Sequence, residues 1–143
     1  MKLILCFQVN HTKNLLVPKL LYLWISLFWT GVIAYFCLTP SNNLPSISIP
    51  YLDKFVHACF HFVFTLFWFL FFKKQLNSPN FIKPLRLSFV LSVFFGVGIE
   101  ILQELCTTTR KGDVIDVLAN ITGATLAVCV ILIYGKYCSF DKI

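Results

Sequence analysis

Four long apolar runs, separated by short polar segments, dominate the pattern of this chain. They lie near residues 20–38, 55–72, 87–105 and 114–134, and each approaches the ~20 mostly apolar residues that an α-helix needs to cross a bilayer. The second run is rich in Phe, and we expect those rings to face lipid. The pattern predicts an all-α membrane protein, a four-transmembrane-helix antiparallel bundle, with residues 1–143 forming one domain.

The composition excludes an ordinary soluble domain. Hydrophobic residues make up 58% of the 143 residues and charged residues only 13%, whereas soluble domains carry about 25% charged residues. Too few polar groups are available to cover a water-facing surface. The six cysteines form no C-x-x-C pair, so the sequence indicates no disulfide framework, no bound metal and no cofactor.

The basic residues lie between the apolar runs and predict the orientation of the chain. The net charge is +6, but the Lys and Arg residues form no stripe interleaved with aromatic residues, so we expect no nucleic-acid partner. Three precede the first run, the first loop has none before Lys54, the second loop has four and the third has two. By the positive-inside rule, this alternation predicts a multi-pass protein of the cytoplasmic (inner) membrane with both termini cytoplasmic.

Unusual polar residues gather at one end of the predicted bundle. Antiparallel connectivity brings the start of helix two, the end of helix three and the start of helix four to the same side of the membrane. The candidate ligand-binding residues of these segments are His57, Glu100, Gln103, Arg110, Asp116 and Asn120. Carboxylates facing lipid are costly, so we expect one hydrogen-bonded cluster near the outer interface.

Helical spacing assigns supporting roles to further residues. Residues three or four apart share a helix face, which places Asp53 beside His57, and Gly123 and Ala127 below Asn120. Gly96 lies one turn before Glu100. Small residues on such faces favour close helix packing, so Asp53, Gly96, Gly123 and Ala127 are predicted to be structural.

A purely structural interpretation of the polar residues stays open. In it, Glu100 pairs with Arg110 across the hairpin of helices three and four, Asp113 caps helix four, and His61 bridges helices as a core histidine. Asp53 and Lys54 then serve as interface anchors. We favour a functional cluster, because ionisable residues inside membranes usually serve function.

Three short motifs, in order along residues 51–127, resemble the VanZ-like family of small bacterial membrane proteins. They are Asp53-Lys54-Phe55-Val56-His57, similar to D-K-x-x-H; Gly96-x-x-x-Glu100-x-x-Gln103; and Arg110 followed by Asp116-x-x-x-Asn120-x-x-Gly123. One departure is His61, where the family often has Tyr. The resemblance implies a cell-envelope protein, links the family to resistance to the glycopeptide teicoplanin, and brings no catalytic mechanism with it.

These residues are compatible with three alternative functions. The first is binding or remodelling of a membrane lipid or lipid-linked envelope ligand at the outer face, with Arg110 pairing to a phosphate or carboxylate. The second is an intramembrane enzyme that uses His57, Glu100 and Asp116. Against it, Ala58 stands where the H-E-x-x-H motif of zinc peptidases has glutamate, so we favour binding over catalysis. The third is a structural subunit of a larger membrane complex.

Overall fold

The structure, a computed structural model, describes residues 19–40, 51–76, 80–107 and 112–137. Four helices form within these ranges: α1 (Lys19–Leu38), α2 (Leu52–Leu76), α3 (Ile82–Cys106) and α4 (Val114–Tyr137). All four are long and apolar enough to cross a membrane, and the described ranges contain no strand. The predicted all-α membrane fold with four spans is confirmed.

Helices α2 and α3 extend beyond the apolar runs that predicted them. Lys73 and Lys74 lie in the last turn of α2, and α3 begins at Ile82, before Lys83. A hydropathy pattern ends where charges begin, but backbone hydrogen bonding continues into the interface, where long basic side chains reach water. Pro84 lies in the first turn of α3, where its missing N–H costs no helical hydrogen bond.

Helix α2 lies at the centre of the bundle and packs against α1, α3 and α4. The two helices approach closely at Gly123 of α4, where an added Cβ would overlap the Ala58 carbonyl group of α2. Below this point the buried Ala127 continues the same face of α4. Small side chains therefore set the distance between the two helices that carry most of the polar residues.

Two apolar clusters fill the interior. Ile33, Phe64 and Ile99 pack between α1, α2 and α3, and Phe69 packs with residues of α3 and α4. The Phe64 ring stacks on Phe95 with the ring centroids 5.0 Å apart. The expectation that the Phe residues of α2 face lipid is therefore wrong for Phe64 and Phe69, because large rings are needed to fill the spaces between α2 and its neighbours.

Candidate functional site

Five of the residues predicted to bind a ligand are buried at one end of the bundle. They come from the start of α2, the end of α3 and the start of α4, and they are His57, Glu100, Gln103, Asp116 and Asn120. The sixth, Arg110, lies outside the described residues, and so does the predicted pair of Glu100 with Arg110. We call this end of the molecule the polar end.

The imidazole of His57 is at the centre of the polar end. Its Nδ1 atom lies 3.1 Å from Asn120 Oδ1 and 3.4 Å from Glu100 Oε1. On the opposite side of the ring, Nε2 lies 3.9 Å from Asp53 Oδ1. One side chain of α2 thus faces acceptor oxygens from α3, α4 and its own helix.

Lys54 joins α2 to α4 through two carboxylates. Its Nζ atom lies 2.8 Å from Asp113 Oδ2 and 2.6 Å from Asp116 Oδ1. Asp113 also caps α4, because its Oδ1 accepts from the Ile115 N–H at 2.8 Å. The Lys54 ammonium, together with that N–H, holds the pKa of Asp113 below its usual value.

The sequence predicts that Lys54 is an interface anchor and places it in the D-K-x-x-H motif, but neither prediction names its partners. Its partners lie about sixty positions later in the chain, so the pairing depends on how α2 and α4 pack. The one available signal was that Lys54, Asp113 and Asp116 have opposite charges at the same predicted membrane depth.

Two glutamates near the end of α3 accept from backbone N–H groups just before α4. Glu104 Oε2 accepts from the Gly112 N–H at 2.9 Å, and Glu100 Oε2 receives a longer contact, 3.4 Å, from the Asp113 N–H. The second distance is beyond the usual range for a strong hydrogen bond. Glu100 therefore retains capacity to accept a further donor.

Gln103 lies apart from the His57 network. Its Nε2 donates to the Cys37 carbonyl oxygen at 2.7 Å, which ties the end of α3 to the end of α1. Asp116 stays with the network, because carboxylate atoms of Asp53 and Asp116 and a ring nitrogen of His57 all lie within 4.8 Å of one another. Three of the six predicted residues, Glu100, Asp116 and Asn120, therefore gather around a fourth, His57, and Gln103 makes a separate contact.

His61 and the small residues lie one layer deeper. The His61 Nδ1 atom lies 2.9 Å from Ser92 Oγ, and its ring packs over Gly96. A Cβ at Gly96 would come within 3.0 Å of His61 Cε1 and 3.1 Å of Asn120 Cβ. His61 thus bridges α2 and α3, and its side-chain contacts are separate from those of His57.

Three buried side-chain atoms among the described residues have no hydrogen-bond partner. They are Glu100 Oε1, Asn120 Nδ2 and His61 Nε2. Buried polar atoms are paired in nearly all folded proteins. Two of these atoms lie at the polar end and the third lies in the layer below it.

A groove of about 290 Å³ lies beside Glu100, between the end of α3 and the start of α4. Its apolar wall includes Val97, Ile101 and Val117, and its polar part includes Glu100 and Asp113. The groove therefore offers apolar surface and hydrogen-bond acceptors side by side, which suits an amphiphilic molecule.

Comparison with known proteins agrees with the sequence motifs. The family model for VanZ/LLP1 matches residues 7–135. An uncharacterized protein of Schizosaccharomyces pombe is 30% identical over 92 residues, which cover 64% of this chain and 54% of the relative. The chain thus spans about half the length of that relative, and no solved structure matches it. Because the family model covers most of its length, the chain belongs to the VanZ/LLP1 family.

Proposed function

We propose that this protein binds an amphiphilic membrane molecule in the groove between α3 and α4. The observation that carries the proposal is the position of Glu100, a carboxylate with a 5% exposed side chain, at the end of an apolar-walled groove. A buried carboxylate is costly unless it is paired. An amphiphilic ligand could donate hydrogen bonds to Glu100 with its headgroup. Its acyl chain would then pack against Val97 and Ile101.

The charges at the polar end favour a headgroup with hydroxyl or amine donors. Asp53, Glu100, Asp113 and Asp116 supply four carboxylates around a single described ammonium, that of Lys54. These carboxylates attract hydrogen-bond donors. A glycosylated or zwitterionic lipid, including a lipid-linked envelope precursor, has such a headgroup.

The direct test is the effect of Glu100→Gln on retained lipid. We expect mass spectrometry of the purified full-length protein to show a specific lipid that the variant loses. Thermal stability should stay equal or rise, because residues held for ligand contact are kept at some expense to stability. If the variant instead folds poorly, and adding Arg110→Gln restores both folding and lipid, the polar end is structural and the proposal fails.

Catalysis on the bound amphiphile is the second candidate, and the 3.4 Å contact between His57 Nδ1 and Glu100 Oε1 favours it. A carboxylate beside an imidazole can orient it as a general base. The two candidates differ in one outcome. An enzyme returns an altered lipid after incubation, and His57→Gln abolishes that alteration while the lipid stays bound.

The cellular setting is part of the proposal. We place the protein in the cytoplasmic membrane of a bacterial envelope with both termini cytoplasmic and the polar end outward, on the alternation of basic residues. A similar protein in Schizosaccharomyces pombe, a yeast, favours a widely distributed lipid over a ligand confined to bacterial walls. If the ligand is a wall precursor or the acyl tail of teicoplanin, Glu100→Gln will change teicoplanin susceptibility in cells that express the protein.

A further inference from the structure

We infer that Asp53, His57 and Asp116 form a binding site for a divalent transition-metal ion, with Zn²⁺ as the best fit. One carboxylate oxygen from each aspartate and one imidazole nitrogen lie within 4.8 Å of one another. A single histidine and two carboxylates are ligands that zinc accepts, and three protein ligands leave a fourth position open. This site adjoins the α3–α4 groove, because Glu100 lines the groove and also contacts His57.

The orientation of His57 supports metal binding. Its Nδ1 atom faces two oxygens, Asn120 Oδ1 at 3.1 Å and Glu100 Oε1 at 3.4 Å. With the proton on Nδ1, where it can be donated to either oxygen, Nε2 presents its lone pair to a metal ion. Histidines that bind metals usually have such a carboxylate or carbonyl partner on the other ring nitrogen.

The lone pair of Nε2 points toward negative charge. Asp53 Oδ1 lies 3.9 Å from it, too far for a hydrogen bond. Two ligand atoms on a tetrahedral zinc are separated by about 3.3 Å, given bond lengths near 2.0–2.1 Å. The Asp53 side chain is 57% exposed, so it has room to make the small inward shift that closes the site.

The buried Glu100 supports the site through His57, because it lies on the Nδ1 side of the ring and leaves Nε2 to face the aspartates. Its side chain is only 5% exposed, and its Oε1 atom lies 3.4 Å from His57 Nδ1. Asp53 and Glu100 lie beside His57, and Lys54 contacts Asp113 and Asp116. The described carboxylates here outnumber the one described ammonium, and this excess of negative charge favours a cation.

Lys54 does not block the site. It binds Asp116 through Oδ1, and a carboxylate has a second oxygen for a metal ion. Imidazole ligands favour zinc and its neighbours in the first transition series over Mg²⁺ and Ca²⁺. The ion would also fix His57 and Asp116 in place, with its open position available to water or a ligand oxygen.

The test uses the full-length protein, purified in detergent through a tag without histidine and stripped of metal with a chelator. Titration with Co²⁺, a spectroscopic substitute for Zn²⁺, should show saturable binding with no thiolate-to-metal band. The absence of this band distinguishes the proposed site from binding of Co²⁺ to the exposed cysteines, Cys59, Cys106 and Cys129. Asp53→Asn should weaken binding by more than about 10-fold, and Glu100→Gln, which acts through His57, by about 10- to 100-fold.

The matched control is Glu104→Gln, which removes an exposed carboxylate from the same end without touching His57 or Lys54. It should bind Co²⁺ as the natural protein does. Equal binding by Asp53→Asn, a thiolate band, or no saturable binding would overturn the proposal. Lipid retained by the same samples separates the two proposals, because Asp53→Asn should lose the metal and keep the lipid.

Discussion

Lys54 Nζ lies 2.6 Å from Asp116 Oδ1, across the contact between α2 and α4. The two side chains differ in surroundings: Lys54 is 25% exposed, whereas Asp116 is 6% exposed. Asp116 therefore has little access to water and relies on the lysine for its charge compensation. This pair couples the start of two helices at the level where His57, Glu100 and Asn120 meet.

Replacement of Lys54 should destabilise the bundle. Lys54→Gln leaves the buried Asp116 carboxylate without its ammonium, and we expect the free energy of unfolding to fall by about 1–3 kcal/mol. Thermal unfolding followed by tryptophan fluorescence measures this. Adding Asp116→Asn should recover most of the loss, because no stranded charge remains. A single variant as stable as the natural protein would show that water already solvates Asp116.

Packing of α2 against α4 should depend on Gly123 in particular. Gly123→Ala places a Cβ on the Ala58 carbonyl group, and overpacking of this kind typically costs about 1–3 kcal/mol or more. Gly98→Ala is the matched control, because nothing lies within 4 Å of its added Cβ. That variant should be neutral or more stable, since alanine favours a helix over glycine. Equal behaviour of the two variants would contradict the close contact of α2 and α4.

Membrane orientation can be measured with reporters. A reporter fused after Ile143 should be active in the cytoplasm, and one inserted after Gly112, in the connection before α4, should be active outside. Both expectations follow from the basic residues of the loops. An outward signal after Ile143 would show that the chain crosses the membrane a different number of times or in the opposite sense.

The sequence predicted the helices well because apolar length is the dominant signal in a membrane. The predicted first and last spans, 20–38 and 114–134, differ little from α1 (Lys19–Leu38) and α4 (Val114–Tyr137). The inner two were predicted too short, because charged residues at their ends lower hydropathy without ending the helix. Connectivity alone then brought His57, Glu100 and Asp116 to one end.

The partners of individual side chains were not predictable in the same way. Gln103 shares a helix with Glu100 three positions away, yet it donates to the Cys37 carbonyl oxygen of α1. Lys54 binds Asp113 and Asp116 in α4. Such contacts depend on the rotation of each helix about its axis, which packing of the whole bundle sets. Spacing within one helix gives its faces but not the neighbour that each face meets.

The most direct test of the central claim is to fill the groove without touching its charges. Val117 lines the groove, so Val117→Phe should occupy the space intended for an acyl chain. Leu118→Phe is the matched control, because Leu118 is the next residue along α4, is 57% exposed and does not line the groove. Both variants add a ring to the surface of the same helix turn.

The measurement is quantitative mass spectrometry of lipid retained by the purified natural protein and by these two variants. We predict that Val117→Phe loses the specific lipid that Glu100→Gln also loses, while Leu118→Phe retains it and all three variants remain folded. Retention of the same lipid by folded Val117→Phe would contradict amphiphile binding between α3 and α4.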